Sequence, residues 1–283
     1  MLFLAVLISV SVHAQVQAGA FVGVSNYTGD LLDKPYDYSH SAAGVTLGYV
    51  FTDRFTMRAG MTFGKIAGSD EASNLRDFSK RNLSFQSALH EFSIAGEYNL
   101  FDITNTQWTP FAFMGLAIYH YDPYTFDATG QKYYLKPLST EGQGLAQYPD
   151  RKPYALTRLA IPVGGGLKYA ISDRVQVAAQ IGLRITNNDY LDDVSTTYVD
   201  ENDLLAARGP KAVELSYRAD ELPGSSQAYP AKGAHRGRSG KLIYTDFYYF
   251  SGLHITFNLG KNDRATYGGN RNNKKGYGCP AMH

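Results

Sequence analysis

From Phe55 the chain alternates strictly: Phe55, Met57, Ala59, Met61 and Phe63 fall on one face, and Thr56, Arg58, Gly60, Thr62 and Gly64 on the other. A period of two sustained over that length predicts a β-strand with one apolar and one polar face. The same alternation runs through Ala43 to Phe51, with Gly44, Thr46 and Gly48 opposite. It recurs in Phe92, Ile94, Tyr98 and Leu100 against Glu91, Ser93, Glu97 and Asn99, and in Phe111, Phe113, Ala117 and Tyr119, which are assigned to the apolar face. Leu159 to Tyr169, Val175 to Leu183 and Phe247 to Leu259 repeat it, and a less regular strand near Val16 to Tyr27 brings the count to eight.

Strands of about ten residues suit a tilted membrane crossing, whereas soluble strands centre nearer five or six. The apolar faces are tipped by Tyr and Phe, residues that favour the headgroup level of a bilayer, so the aromatic side chains are expected to face lipid. The joins agree with this. Thr52 to Arg54, Asp102 to Gln107 and Ile171 to Arg174 are short, while the other joins are long, the longest running from Thr186 to Lys241. Short joins alternating with long ones predict an all-β fold: an eight-stranded antiparallel outer-membrane β-barrel with short periplasmic turns, long extracellular loops and both termini in the periplasm.

The apolar run Leu2 to Val12 followed by His13-Ala14 reads as a signal peptide over residues 1–14, too short for a membrane-spanning helix. Residues 15–260 then form the barrel and residues 261–283 a basic periplasmic tail. In that tail Lys261, Arg264, Arg271, Lys274 and Lys275 stand against Asp263, in a chain whose overall net charge is only +1. Such a near-neutral balance excludes a general nucleic-acid surface. The one cysteine, Cys279, lies in the tail; a lone thiol in an oxidising compartment is either idle or paired with another chain, and the exposed setting expected of the tail favours pairing.

An eight-stranded barrel is just wide enough for its own side chains to fill. Arg58, Glu91, Glu97, Arg158, Lys168 and Arg184 fall on inward faces and are read as a luminal charge network that plugs the interior. A proton or small-solute path is the sharper alternative. No cofactor and no metal are expected. His254, Ser251 and Asp246 contain the residue types of a hydrolase, but Ser251 has the wrong strand parity to meet the other two. Gly164-Gly165-Gly166 lies within a strand and reads as a bend or a close backbone approach. Asp189, Asp192, Asp193, Asp200, Glu201 and Asp203 lack the register of a calcium loop and read as a solvated acidic rim, followed by short helical pieces at 203–208 and 212–217.

Four stretches carry a resemblance to a known family: Gly23 to Asp30, Arg81 to Phe85, Leu138 to Gly144 and Tyr190 to Ser195. With the strand framework between them, the chain resembles the PorG family of the type IX secretion system. The resemblance implies a non-enzymatic outer-membrane barrel that contacts the lipoprotein PorK and the ring protein PorN and helps deliver cargo. On that reading the short turns and the tail are the docking surface, and Cys279 is the candidate for a disulfide with a ring lipoprotein. The alternative is a surface receptor or adhesin using the loop Tyr119 to Tyr154 and the loop after Arg184.

Overall fold

The computed structural model describes residues 15–32, 34–72, 80–103, 105–224, 228–237 and 245–259. The expected signal peptide and the tail, with Lys261, Arg264, Arg271, Lys274, Lys275 and Cys279, lie outside the described residues.

Ten strands are found among them: β1 (Gln15–Thr28), β2 (His40–Val50), β3 (Phe55–Ser69), β4 (Ser84–Asn99), β5 (Trp108–Tyr121), the short β6 (Tyr124–Phe126) and β7 (Lys132–Tyr134), β8 (Thr157–Ala170), β9 (Val175–Thr186) and β10 (Phe247–Asn258). All except β6 and β7 form the barrel, each paired antiparallel with its sequence neighbour. It closes where β1 meets β10, from Gln17 opposite Asn258 to Thr28 opposite Phe247. Closure leaves no unpaired edge, which is what a sheet needs in a medium that offers no hydrogen bonds.

The outer surface is that of a lipid-facing barrel. Val45, Leu47, Met61, Ile94, Leu116 and Leu159 are all exposed on the outward faces of their strands. Left in water, a continuous apolar belt of this kind would aggregate. Around the short-turn end an aromatic girdle adjoins it, with Tyr49 against Phe51 at 4.7 Å and Phe101 against Trp108 at 5.6 Å between ring centroids, and Tyr98 and Tyr169 beside them. Girdles of this kind mark the level of the headgroups.

The face assigned to β5 was reversed. Phe111, Phe113, Ala117 and Tyr119 point inward and are buried, while Trp108, Met114, Leu116 and Ile118 face outward. Both faces of β5 are apolar, so alternation alone does not say which one meets lipid. The broader expectation that aromatics face lipid is corrected with it. Phe21, Tyr27, Phe85, Tyr119, Tyr121, Tyr248 and Phe250 are buried in one core that fills the upper lumen and continues into the loops. A narrow barrel must be filled by bulky side chains, and rings supply that volume.

At the long-loop end the connections fold into a cap. Two helices, α1 (Glu201–Arg208) and α2 (Pro210–Ser216), begin slightly earlier than the sequence indicates. The Asp200 side chain caps α1 by accepting from the Asn202 and Asp203 backbone N–H groups. Leu145, Tyr148, Val199, Leu204 and Ala212 form a second small core there. Among the described residues no helix is long and apolar enough to cross a membrane.

Candidate functional site

Two groups of ionised side chains close the lumen, one above the other. In the lower group Lys168 on β8 donates to Glu97 on β4, and Arg58 on β3 lies 3.2 Å from the same carboxylate. Arg58 also donates to Gln180 at 3.3 Å. The rings of Phe113 and Phe111 sit 5.0 Å and 5.1 Å from the Arg58 guanidinium and the Lys168 ammonium. His254 and Thr46 hydrogen-bond at 2.8 Å beside them. What remains open between these residues is a gap of about 10 Å³, room for a single water centre.

In the upper group Arg184 on β9 donates twice to Glu91 on β4, and Tyr248 donates to the same carboxylate at 2.9 Å. The Arg184 guanidinium stacks over Phe250, 4.4 Å from its centroid. A bidentate, hydrogen-bonded pair of this kind offsets much of the desolvation of its charges, which an isolated buried ion cannot do. Arg158 stands apart from both groups. It lies at the long-loop rim of β8 and donates to the Asn187 carbonyl at 3.1 Å. The six charges therefore form two separate plugs and one rim contact, because they sit at different heights on their strands.

The cap is built around another charged cluster. Arg236, buried, donates to Glu141 at 3.2 Å and to the Asp193 carbonyl at 2.6 Å. Glu141 also accepts from the backbone N–H groups of Ser195 and Thr196 and from the Tyr190 hydroxyl. Asp193 accepts from Thr140 and, at 2.7 Å, from Tyr154. Burial pushes the Asp193 carboxyl up to about 6, against the pull of Arg236 and of these hydrogen bonds. Arg81 pairs with Asp70 at 2.5 Å and donates to the Arg236 carbonyl, tying the loop after β3 to the same centre.

The acidic rim is corrected by this arrangement. Asp192 and Asp193 are buried, and Asp192 accepts from Tyr27 at 2.5 Å. The backbone turns Asp193 inward through a left-handed residue, φ 67°, a conformation that aspartate tolerates better than most. Asp30, Asp189 and Asp246 bring carboxylate oxygens within 4.8 Å of one another, and each has further interactions in the fold.

Several other sequence-derived sites have definite places. Asp246 accepts from Tyr27 and from the Leu191 backbone N–H, while His254 is engaged with Thr46 and Thr256, so the two do not meet. A Cβ added at Gly166 would come within 2.0 Å of the Ala179 carbonyl, and one at Gly164 within 2.3 Å of the Ile181 carbonyl. The glycine run is a close backbone approach between β8 and β9.

Glu141 lies in the stretch Leu138 to Gly144, but its pairing with Arg236 was not legible, because the two lie far apart in the chain and no chemical motif joins them. The available signal was indirect. All four stretches that carry the family resemblance meet here: Tyr27 packs on Phe85 at 4.9 Å, Arg81 donates to the Asp30 carbonyl, and Glu141 accepts from Ser195. Their shared task in this structure is to hold the cap on the barrel.

A family model described as a domain of unknown function (DUF6089) matches residues 1–208, and the chain belongs to that family. No curated protein matches it. Among solved structures, the N-terminal β-barrel domain of Pseudomonas aeruginosa OprF is similar at 11% identity and a TM-score of 0.39, covering 87% of this chain and 97% of that one. Neisserial surface protein A (NspA) is similar at 10% identity and a TM-score of 0.40, covering 86% and 96%. Ail, the attachment invasion locus protein of Yersinia pestis, is similar at 7% identity and a TM-score of 0.41, covering 87% and 99%. These are likenesses of architecture alone. The fold of this chain, read from its own closure, belt and girdle, is that of an outer-membrane eight-stranded barrel.

Proposed function

We propose that this member of the DUF6089 family is a non-enzymatic platform in the outer membrane, holding position there and making its contacts at its two ends. The observation that supports this is the double plug of Arg58, Glu97 and Lys168 below Glu91 and Arg184, whose ion pairs cross the lumen and whose lower group leaves room among its residues for about one water. The short-turn end is assigned to the periplasm, with both chain termini, and the cap to the cell exterior.

The resemblance to the PorG family gives the platform its specific form: an anchor that fastens the periplasmic PorK and PorN ring of the type IX secretion system to the outer membrane. Its docking surface comprises the short joins at 52–54, 102–107 and 171–174 and the basic tail with Cys279, whose thiol pairs with a ring lipoprotein. Affinity purification of the tagged chain from detergent-solubilised envelopes is expected to recover both ring proteins, with recovery reduced when residues 261–283 are removed. Purification without either ring protein would contradict the anchor, and only monomer on non-reducing gels of native membranes would contradict the disulfide.

A second reading, a surface receptor or adhesin, is favoured by the cap, whose internal cores and buried Arg236–Glu141 pair exceed what merely closing a barrel needs. Deleting the β6–β7 hairpin without a secretion defect, but with lost surface binding, would support it over the anchor.

A further inference from the structure

An open groove of about 500 Å³ lies in the cap, between the β6–β7 hairpin, the turn that follows it and the C-terminal end of α1. This volume falls within the range of small-ligand sites. Tyr134, Pro137, Pro153 and Leu156 supply flat apolar surface, and Lys136 and Arg208 bring two positive charges to the same space. Neither cation is in a salt bridge among the described residues. Arg208 is oriented by its hydrogen bond from Nε to the Ser139 hydroxyl at 3.2 Å, and Ser139 is itself fixed in a left-handed conformation, φ 49°.

Gln143 gives an independent sign of a ligand. It lines the groove and is 2% exposed. Its Oε1 accepts from the Glu141 backbone N–H at 3.1 Å, which fixes the amide, while its Nε2 has no acceptor among the described residues. A buried N–H donor without a partner is unfavourable, and a ligand oxygen would satisfy it. Asp122 also lines the groove, and burial raises its carboxyl above the usual aspartate range. A carboxylate beside two cations suits a ligand that both donates and accepts hydrogen bonds. It does not suit a bare inorganic anion.

We propose that this groove binds an acidic saccharide: Lys136 and Arg208 meet its carboxylate, Gln143 Nε2 donates to a ring or hydroxyl oxygen, Asp122 accepts from a hydroxyl, and the Tyr134 ring and the prolines pack against the sugar face. The inference goes beyond the anchor reading, since the groove lies at the opposite end of the barrel from the proposed ring contacts and does not depend on them.

The test uses the full-length protein in detergent, titrated calorimetrically with trigalacturonate and, for comparison, with neutral maltotriose. Trigalacturonate is expected to bind, with affinity falling as salt is raised, and maltotriose to bind at least about tenfold more weakly. The Lys136→Gln/Arg208→Gln double variant and, separately, Gln143→Leu are each expected to lose about tenfold or more in affinity while keeping the heat-modifiable gel mobility of a folded barrel. A second arm measures lipopolysaccharide retained through purification in wild type and in the double variant. Retention that falls in the variant identifies membrane lipopolysaccharide as the source of the acidic sugar, and trigalacturonate binding with unchanged retention identifies a soluble glycan. Absence of both effects, equal binding of the neutral sugar, or binding indifferent to all three substitutions overturns the proposal.

Discussion

Arg184 on β9 reaches across the lumen to Glu91 on β4, with Nε 2.9 Å from Oε2 and Nη2 2.8 Å from Oε1. The contact joins strands that are not neighbours in the sheet, so it acts as a strut across the barrel as well as a stopper.

Glu91→Ala leaves a buried guanidinium beside Phe250 without its carboxylate, and the expected loss is about 3–5 kcal/mol of barrel stability. The double replacement Glu91→Gln/Arg184→Met removes both charges and is expected to cost less than the single change. Urea titrations in lipid vesicles, followed by heat-modifiable gel mobility, measure both. A single variant as stable as wild type would show that the pair carries no structural weight.

Arg236 serves the cap and not the barrel wall: its partners Glu141, Asp193 and the Ser216 carbonyl all belong to loops or α2. Arg236→Met is therefore expected to expose the segments 122–156 and 187–246 to protease added outside intact cells, while the barrel keeps its mobility. Simultaneous loss of cap and barrel would contradict this division.

The same cluster has a pH dependence of definite sign. Burial raises the Asp193 carboxyl to about 6, above the ~3.9 of an unfolded chain, so the folded cap holds a proton that the unfolded cap releases. That contribution is complete below about pH 4 and is lost as the pH rises through about 6. Resistance of the cap to a protease active across the range is expected to be greater at pH 5 than at pH 7.5. Asp193→Asn, which removes the titrating carboxyl and keeps one oxygen to accept from Thr140 or Tyr154, is expected to flatten the difference. An undiminished slope in that variant would assign the effect to another group.

Leu116 stands at mid-strand on the lipid face of β5, opposite Ile94. Leu116→Arg places a charge in hydrocarbon, with an expected penalty of about 2–4 kcal/mol near the midplane. Folding yield into vesicles should fall accordingly. An unaffected yield would mean that this face does not meet lipid.

The eight barrel strands and their antiparallel closure were legible in the chain, because they follow from local periodicity; the β6–β7 hairpin, inside a stretch that reads as a loop, was not. The phase of β5 was not. Phe111 and Phe113 inside, and Met114 and Leu116 outside, are all apolar, and only the three-dimensional closure decides which side the rings fill. The inward charges were legible one by one, but their division into Glu97 with Arg58 and Lys168, Glu91 with Arg184, and Arg158 alone depends on strand stagger. The cap was the least legible part. Residues such as Glu141 and Arg236 approach through loops that carry no period, and Asp192 and Asp193 look like solvent-facing acids until Tyr27, Tyr154 and Arg236 are seen around them.

The central claim is that the lumen is closed by its own side chains. Conductance of the purified, refolded protein in planar lipid bilayers tests it most directly. With Arg58, Glu97, Lys168, Glu91 and Arg184 in place, membranes containing verified folded barrel are expected to stay at the baseline of protein-free bilayers. Steady, stepwise ion currents that scale with the amount of inserted protein would contradict the account.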